Sequence, residues 1–146
     1  MLAALDLYRR EFEPSDALAA PYALAGVSVV AAETDAAATR LFTSLQQQFI
    51  ALHRGTPGQL PPPVGRIEEV PEPHEIAGAA QVLREAIVGS RATVRGGLEA
   101  FLRRTEVDEV MVTAQIFDHA ARLRSYEILA EVRDAMAVEA SPVALE

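Results

Sequence analysis

The side chains best placed to do chemistry are Gln115, Asp118 and His119, which follow an apolar run late in the sequence. An imidazole can act as a general base, or donate a hydrogen bond to a bound cofactor or substrate. Asp118 could orient that imidazole. The alternative, which we favour, is that Asp118 caps the following helix and that His119 is a residue of its first turn.

A second candidate site lies at Gly89 and Ser90, which follow a short apolar run and open a helical pattern. Backbone N–H groups at the start of a helix attract an anion, so a phosphate could bind to Gly89, Ser90 and Thr93. Arg91 could add a contact to that phosphate, or point into solvent. The alternative is that Ser90 is a plain helix cap.

Other kinds of site are not indicated. The sequence has no cysteine, and neither His53 nor His74 has a second ligand at metal-binding spacing, so we predict no metal site. No glycine-rich dinucleotide or P-loop motif occurs.

The first half of the sequence predicts a helix, a strand and a second helix. Leu2, Leu5, Tyr8 and Phe12 share one face of a short helix. Residues 22–32 are almost continuously apolar, which predicts a strand buried on both faces. Thr34 can cap the next helix, with Asp35 favourable at its positive end. The buried stripe of that helix is Leu41, Leu45, Phe49 and Leu52, and Gly55 ends it.

The second half predicts a proline-rich loop at residues 56–74 and then further helices and strands. A helix over 75–85 and a strand over 86–88 follow. Ser90 begins a helix with a buried stripe of Val94, Leu98, Phe101 and Leu102. A strand with its core at 110–112 leads into a helix from Asp118 to about Met136, and residues 137–146 form a frayed tail.

Alternating strands and helices predict an α/β fold with a parallel sheet, in one domain over residues 1–146. The same alternation builds a (β/α)8 barrel, but three strands cannot close a barrel of eight. We therefore expect a partial barrel with unpaired strand edges and an open inner face. Such edges favour pairing of two copies, so we predict a homodimer or a higher oligomer.

Charge and hydropathy argue against a nucleic-acid-binding protein and against a membrane protein. The net charge of −8 argues against non-specific nucleic-acid binding. The longest apolar run is too short to span a bilayer, and the amino terminus does not resemble a signal peptide. These features predict a cytoplasmic protein that is not bound to a membrane.

Four segments, in order, resemble the luciferase-like flavin monooxygenases. They are Phe12-Glu13-Pro14-Ser15 with the strand Gly26 to Asp35, Ser44-Leu45-Gln46-Gln47 with Arg54-Gly55, Val88-Gly89-Ser90, and Ile116 to Tyr126. Together they span most of the chain, from about Tyr8 to Ala130. Where members of the family often have a proline after the serine or threonine, this sequence has Arg91.

The resemblance implies a TIM barrel that binds FMN at the carboxyl ends of its strands and oxidises a small organic substrate with O2. A flavin reductase is the implied partner. The resemblance places Gly89, Ser90, Arg91, Thr93 and Gln115 near the cofactor and His119 as a catalytic candidate. It matches the carboxyl-terminal part of the barrel only, so we expect reduced or no activity from the chain alone. A non-catalytic, self-associating barrel fragment is the alternative.

Overall fold

Three parallel strands form the sheet in a computed structural model that describes residues 1–67 and 72–140. They are β1 (Leu24–Ala31), β2 (Ile87–Gly89) and β3 (Glu109–Thr113), in the spatial order β2–β1–β3. Residues 24–28 of β1 pair with β3, and residues 29–31 pair with β2. The α/β class and the partial barrel are confirmed.

The strand order differs from consecutive winding, in which β2 would lie between β1 and β3. Strand β1 instead lies at the centre, with the three-residue β2 on one edge at the carboxyl-terminal end of β1, and with β3 on the other edge along its first five residues.

Five helices accompany the strands in the described residues: α1 (Leu2–Arg10), α2 (Asp35–His53), α3 (Pro73–Val82), α4 (Arg91–Thr105) and α5 (His119–Ala140). Helix α3 begins at Pro73, before the predicted start at Glu75, and shortens the predicted 56–74 loop from its end. Residues 68–71 of that loop lie outside the described residues. Helix α5 continues past Met136, so residues 137–140 of the predicted tail are helical, and residues 141–146 lie outside the described residues.

Helix α2 begins and ends where its capping residues predicted. The Thr34 hydroxyl oxygen accepts a hydrogen bond from the Ala37 N–H at 3.2 Å. Gly55 has a φ of 71°, and the N–H groups of Gly55 and Thr56 donate to the carbonyls of Leu52 and Ala51. This double hydrogen bond is the Schellman motif, which favours glycine at its left-handed position.

The buried stripe predicted for α2 is wrong at its end. Leu45 is buried, but Leu52 is 54% exposed and Ile50 is buried in its place. Ile50 packs with Ile67 and Ala79 in a small apolar cluster beside α3. The second half of α2 therefore faces α3 and the loop before it, which the stripe within α2 could not reveal.

The main apolar core lies on one face of β1. Ala25, Val27 and Val29 pack there against buried side chains of α4 and α5. On the opposite face, Val30 and Ala32 pack with Ala38, Ala114 and Ile116. This second cluster covers only the carboxyl-terminal end of β1.

The rest of that opposite face is open. We call it the open face, and it carries the paired positions Leu24 and Glu109, Gly26 and Met111, Ser28 and Thr113. Leu24 is 46% exposed and Met111 is 55% exposed. The prediction that β1 is buried on both faces is therefore wrong for its first half, because no described element packs over these residues. The predicted open inner face is confirmed.

Two adjacent glycines of α4 provide a matched test of the packing between α4 and β2. A Cβ at Gly97 would lie 2.6 Å from Cγ2 of Ile87, whereas a Cβ at Gly96 would meet nothing within 4 Å. We expect Gly97→Ala to destabilise the fold by about 1 kcal/mol because it overpacks this contact. Gly96→Ala should stabilise it by roughly 0.5–1 kcal/mol, through helix propensity. Urea unfolding of both variants measures the difference, and equal effects would contradict this contact.

Candidate functional site

The carboxyl ends of the three parallel strands lie at one edge of the sheet. In α/β folds this edge carries the ligand sites. Here β1 leads to Glu33 and α2, β2 leads to Ser90 and α4, and β3 leads to Gln115, His119 and α5. The fold thus brings the two predicted sites to the same edge.

The side-chain carboxylate of Asp35 lies at the turn between β2 and α4. Oδ1 of Asp35 accepts hydrogen bonds from the Ser90 N–H at 2.6 Å and from the Thr93 hydroxyl at 2.8 Å. The backbone hydrogen bond from Ser90, followed by the Thr93 hydroxyl, lowers the pKa of Asp35 below its usual value. Asp35 is therefore ionised at neutral pH, and its negative charge lies where the sequence predicts a phosphate.

Gly89 is required by this arrangement. A Cβ at Gly89 would lie 2.5 Å from the Cβ of Thr93 and 2.8 Å from Oδ1 of Asp35. Ser90 is the residue before the first turn of α4, as predicted, but its side chain makes no capping hydrogen bond. Its hydroxyl instead lies 3.3 Å from that of Thr93. The absence of a side chain at Gly89 thus makes room for the side chains of Thr93 and Asp35.

Arg91 pairs with α5. Its guanidinium lies 3.0 Å from Oε2 of Glu131. The other carboxylate oxygen of Glu131 accepts from Arg124, which also bonds Glu33 and Glu127. Hydrogen bonds from Arg124 to Glu33, then Glu127 and Glu131, raise the pKa of Arg124. This ionic network joins the end of β1 to α4 and α5.

Asp118, in the turn between β3 and α5, caps the start of α5. Its Oδ1 accepts from the Ala121 N–H at 2.7 Å, and its carbonyl accepts from the Arg122 N–H at 3.0 Å. The capping interpretation is confirmed.

His119 contacts Arg122 within the first turn of α5. Nη2 of Arg122 lies 2.8 Å from Nδ1 of His119. A guanidinium can only donate, so Nδ1 accepts and the proton of the neutral ring lies on Nε2. In this arrangement the Nε2–H can donate a hydrogen bond to a ligand. Gln115 is exposed at the same edge.

Two residues of α5 that the sequence did not single out fix the ends of the strands. The hydroxyl oxygen of Ser125, which is fully buried, accepts from the Ala31 N–H at 2.9 Å. The hydroxyl oxygen of Tyr126 accepts from the Ala114 N–H at 3.0 Å. Both bonds satisfy backbone donors just where β1 and β3 end. Both lie between the charged residues Arg124 and Glu127, so their polarity gives no sequence signal of this role.

Residues 1–67 and 72–140 contain neither a metal-ligand cluster nor a membrane-spanning helix. No three acidic or histidine side chains are placed there to share a metal ion. None of the helices in these ranges is both long and apolar enough to cross a bilayer.

The depressed pKa of Asp35 predicts a pH-dependent contribution to stability. A carboxylate whose folded pKa lies below its unfolded value of about 3.9 stabilises the fold above that pH, and the contribution is lost as the pH falls through the folded pKa. We expect the melting temperature of the wild type to fall more steeply than that of Asp35→Asn below about pH 4. Thermal scans between pH 7 and 3 test this, and parallel curves would contradict it.

Comparisons with known proteins agree with the resemblance inferred from the sequence. The chain is 47% identical over 131 residues to a luciferase-like monooxygenase of Escherichia coli (strain K12), covering 90% of this chain and 39% of that protein. It is 46% identical over 129 residues to YvbT, an uncharacterised protein of Bacillus subtilis (strain 168), covering 88% of this chain and 38% of the relative. The chain thus spans about two fifths of the length of these relatives.

A solved structure, apo-MsnO8, shares the fold with a TM-score of 0.71 and 27% identity, over 90% of this chain and 40% of the other. No protein-family model matches the sequence. The chain is therefore similar, over nine tenths of its length, to a segment of the luciferase-like monooxygenases, and the extent of the match is consistent with the carboxyl-terminal part of such a protein.

Proposed function

We propose that the chain contributes the carboxyl-terminal strands and helices of an FMN-dependent monooxygenase that oxidises a small organic substrate with O2. The observation that carries this proposal is the 47% identity to the luciferase-like monooxygenase of Escherichia coli. In enzymes of this kind the flavin carries the oxygen chemistry, and the protein positions it and excludes water. A flavin reductase would supply the reduced cofactor.

The three strands of the described residues do not close a barrel by themselves. The open face leaves Leu24 and Met111 exposed, in the place where a closed barrel would have a dry interior. The chain alone thus does not form the closed interior that would shield a bound flavin from water. We therefore propose low or no oxygenase activity for this chain alone.

The first turn of α4 does not fit a flavin phosphate while Asp35 keeps its position. The Ser90 N–H and the Thr93 hydroxyl both bond Asp35, and Arg91 is engaged by Glu131. A phosphate would have to displace one carboxylate and approach another. The assignment of Gly89, Ser90, Arg91 and Thr93 to the flavin phosphate stays a prediction. Gln115 and the Nε2–H of His119 stay candidates for other flavin or substrate contacts.

Flavin binding tests the function and the phosphate assignment separately. Equilibrium dialysis of the chain against FMN that shows no binding at ~1 mM would contradict the flavin proposal for this chain. Riboflavin, which lacks the phosphate, is the matched ligand. If the phosphate binds at α4, Asp35→Asn should raise the affinity for FMN but not for riboflavin, because it removes a negative charge and keeps the acceptor for Ser90. An unchanged ratio would contradict the phosphate assignment alone.

A second candidate function is a non-catalytic module that associates with itself. The open face and the unpaired edge of β3 favour it, since exposed strand edges and apolar patches promote association. Sedimentation that shows a stable monomer would contradict this candidate and would leave the flavin proposal untouched.

A further inference from the structure

The outer edge of β3 is a free strand edge within the described residues. The sheet order β2–β1–β3 gives β3 one strand neighbour, β1. At the opposite end of the sheet, β2 has only three residues, which leaves little backbone to pair. The five-residue edge of β3 is therefore the longer template for an added strand.

The sequence of β3 is compatible with pairing to itself. A two-fold axis perpendicular to the sheet makes the two β3 strands antiparallel. With Met111 opposite Met111 of the second copy, Val110 lies opposite Val112 and Glu109 opposite Thr113. This register uses all five residues of β3, and no acidic residue faces another across it. Such cross-strand pairs are the unit of sheet stabilisation.

The surroundings of β3 leave this edge accessible. The hydroxyl of Tyr22 donates to Glu109 at 3.0 Å and holds that carboxylate beside β1. On the helix side of the sheet, Val110 and Val112 line an open apolar cavity of about 360 Å³ together with Leu102, Leu129 and Met136. In the paired arrangement, the two valines of each copy meet next to this cavity and extend its apolar wall.

Face-to-face stacking of two open faces is less favourable. The open face carries Glu109, Ser28 and Thr113 besides its apolar residues. Stacking two copies would desolvate two Glu109 carboxylates that have no basic partner across the interface. Edge pairing leaves the Glu109 carboxylates in water and satisfies backbone donors and acceptors instead.

We infer that the chain forms a two-fold dimer in which the β3 strands of two copies pair antiparallel about Met111. This inference rests on the proposed self-association and specifies its surface. It requires no flavin, so it is independent of the monooxygenase proposal.

Charge substitutions at the centre of the pair test it. Met111→Glu and Met111→Lys each place two like charges directly opposite, so each variant should dissociate the dimer with a dissociation constant raised roughly tenfold or more. The two variants mixed together should form a heterodimer, because opposite charges then meet. Met111 is 55% exposed, which makes both changes compatible with the fold. Circular dichroism of each variant checks that the fold is kept.

Leu24→Lys is the matched control, since Leu24 lies on the same open face but on the central strand. It should leave the dimer intact. Sedimentation velocity in about 0.15 M salt gives the masses, and mass spectrometry identifies the heterodimer. A monomeric wild type would overturn both the self-association and the inference. A wild-type dimer that survives Met111→Glu, that is lost in Leu24→Lys, or whose charge variants fail to pair when mixed would overturn the β3 pairing alone.

Discussion

Replacing Ile116 with alanine will destabilise the chain by about 2–5 kcal/mol, as is typical for removing a large buried aliphatic side chain. Ile116 is fully buried and packs with Val30, Ala32 and Ala38 beneath the turn between β3 and α5. All three of these neighbours are small or β-branched, so little can collapse into the space left by the isoleucine. Urea unfolding at pH 7 measures the loss as a lower midpoint.

Phe117 is the matched control for Ile116. It is the next residue and has a larger side chain, but it is 52% exposed. Phe117→Ala should change the free energy of unfolding by no more than about 0.5 kcal/mol, as for other surface positions. Similar losses from the two variants would mean that the turn is not held by the cluster around Ile116. Gln115, Asp118 and His119 flank these two residues in the sequence. The two variants therefore also test whether the cluster around Ile116 supports the candidate site.

Much of the fold could be predicted because its signals are local. Thr34 and Asp118 cap their helices through N–H groups three residues ahead in the sequence, so the chain itself brings donor and acceptor together. The stripe of Val94, Leu98 and Phe101 predicts the buried side of α4 because helical periodicity alone decides which residues share a face. The alternation of strands and helices predicts a parallel sheet for a similar reason.

The order of the strands could not be predicted in the same way. The order depends on contacts between residues far apart in the sequence, and no pattern within β2 or β3 indicates that both pair with β1. The apolar run of β1 predicts burial on both faces, yet composition does not say whether a second layer is present to cover Leu24 and Gly26. The hydrophobicity of a strand indicates which of its residues favour burial, but the elements that pack around the strand determine which residues are buried.

The candidate site was predicted in position but not in its contacts. Asp35 lies 55 residues before Ser90, and the sequence predicts it only as a favourable charge at the start of its own helix. In the structure its carboxylate bonds the start of α4. A helix N-terminus attracts any anion, so the sequence could not distinguish a phosphate from a carboxylate supplied by the protein.

Among substitutions of polar residues, we expect Ser125→Ala to lower the free energy of unfolding the most. Its hydroxyl accepts the Ala31 N–H in a fully buried position, so Ser125→Ala leaves that backbone donor without a partner at the end of β1. An unsatisfied buried donor costs about 1–3 kcal/mol, and the substitution should lower stability by that order.

Ser44 provides the matched control for Ser125, because it is also fully buried within a helix but its hydroxyl has no hydrogen-bond partner. Ser44→Ala removes an unsatisfied polar group and gains helix propensity, so it should be neutral or stabilising by up to about 1 kcal/mol. Both variants remove the same atom from the same kind of site, so their difference isolates the hydrogen bond to Ala31. If urea unfolding finds equal losses, the Ser125 hydroxyl does not hold β1. A loss of stability confined to Ser125→Ala would show that α5 fixes the end of β1. Because the chain continues from there through Glu33 and Thr34 to Asp35, this contact also positions the Asp35 carboxylate at the turn before α4.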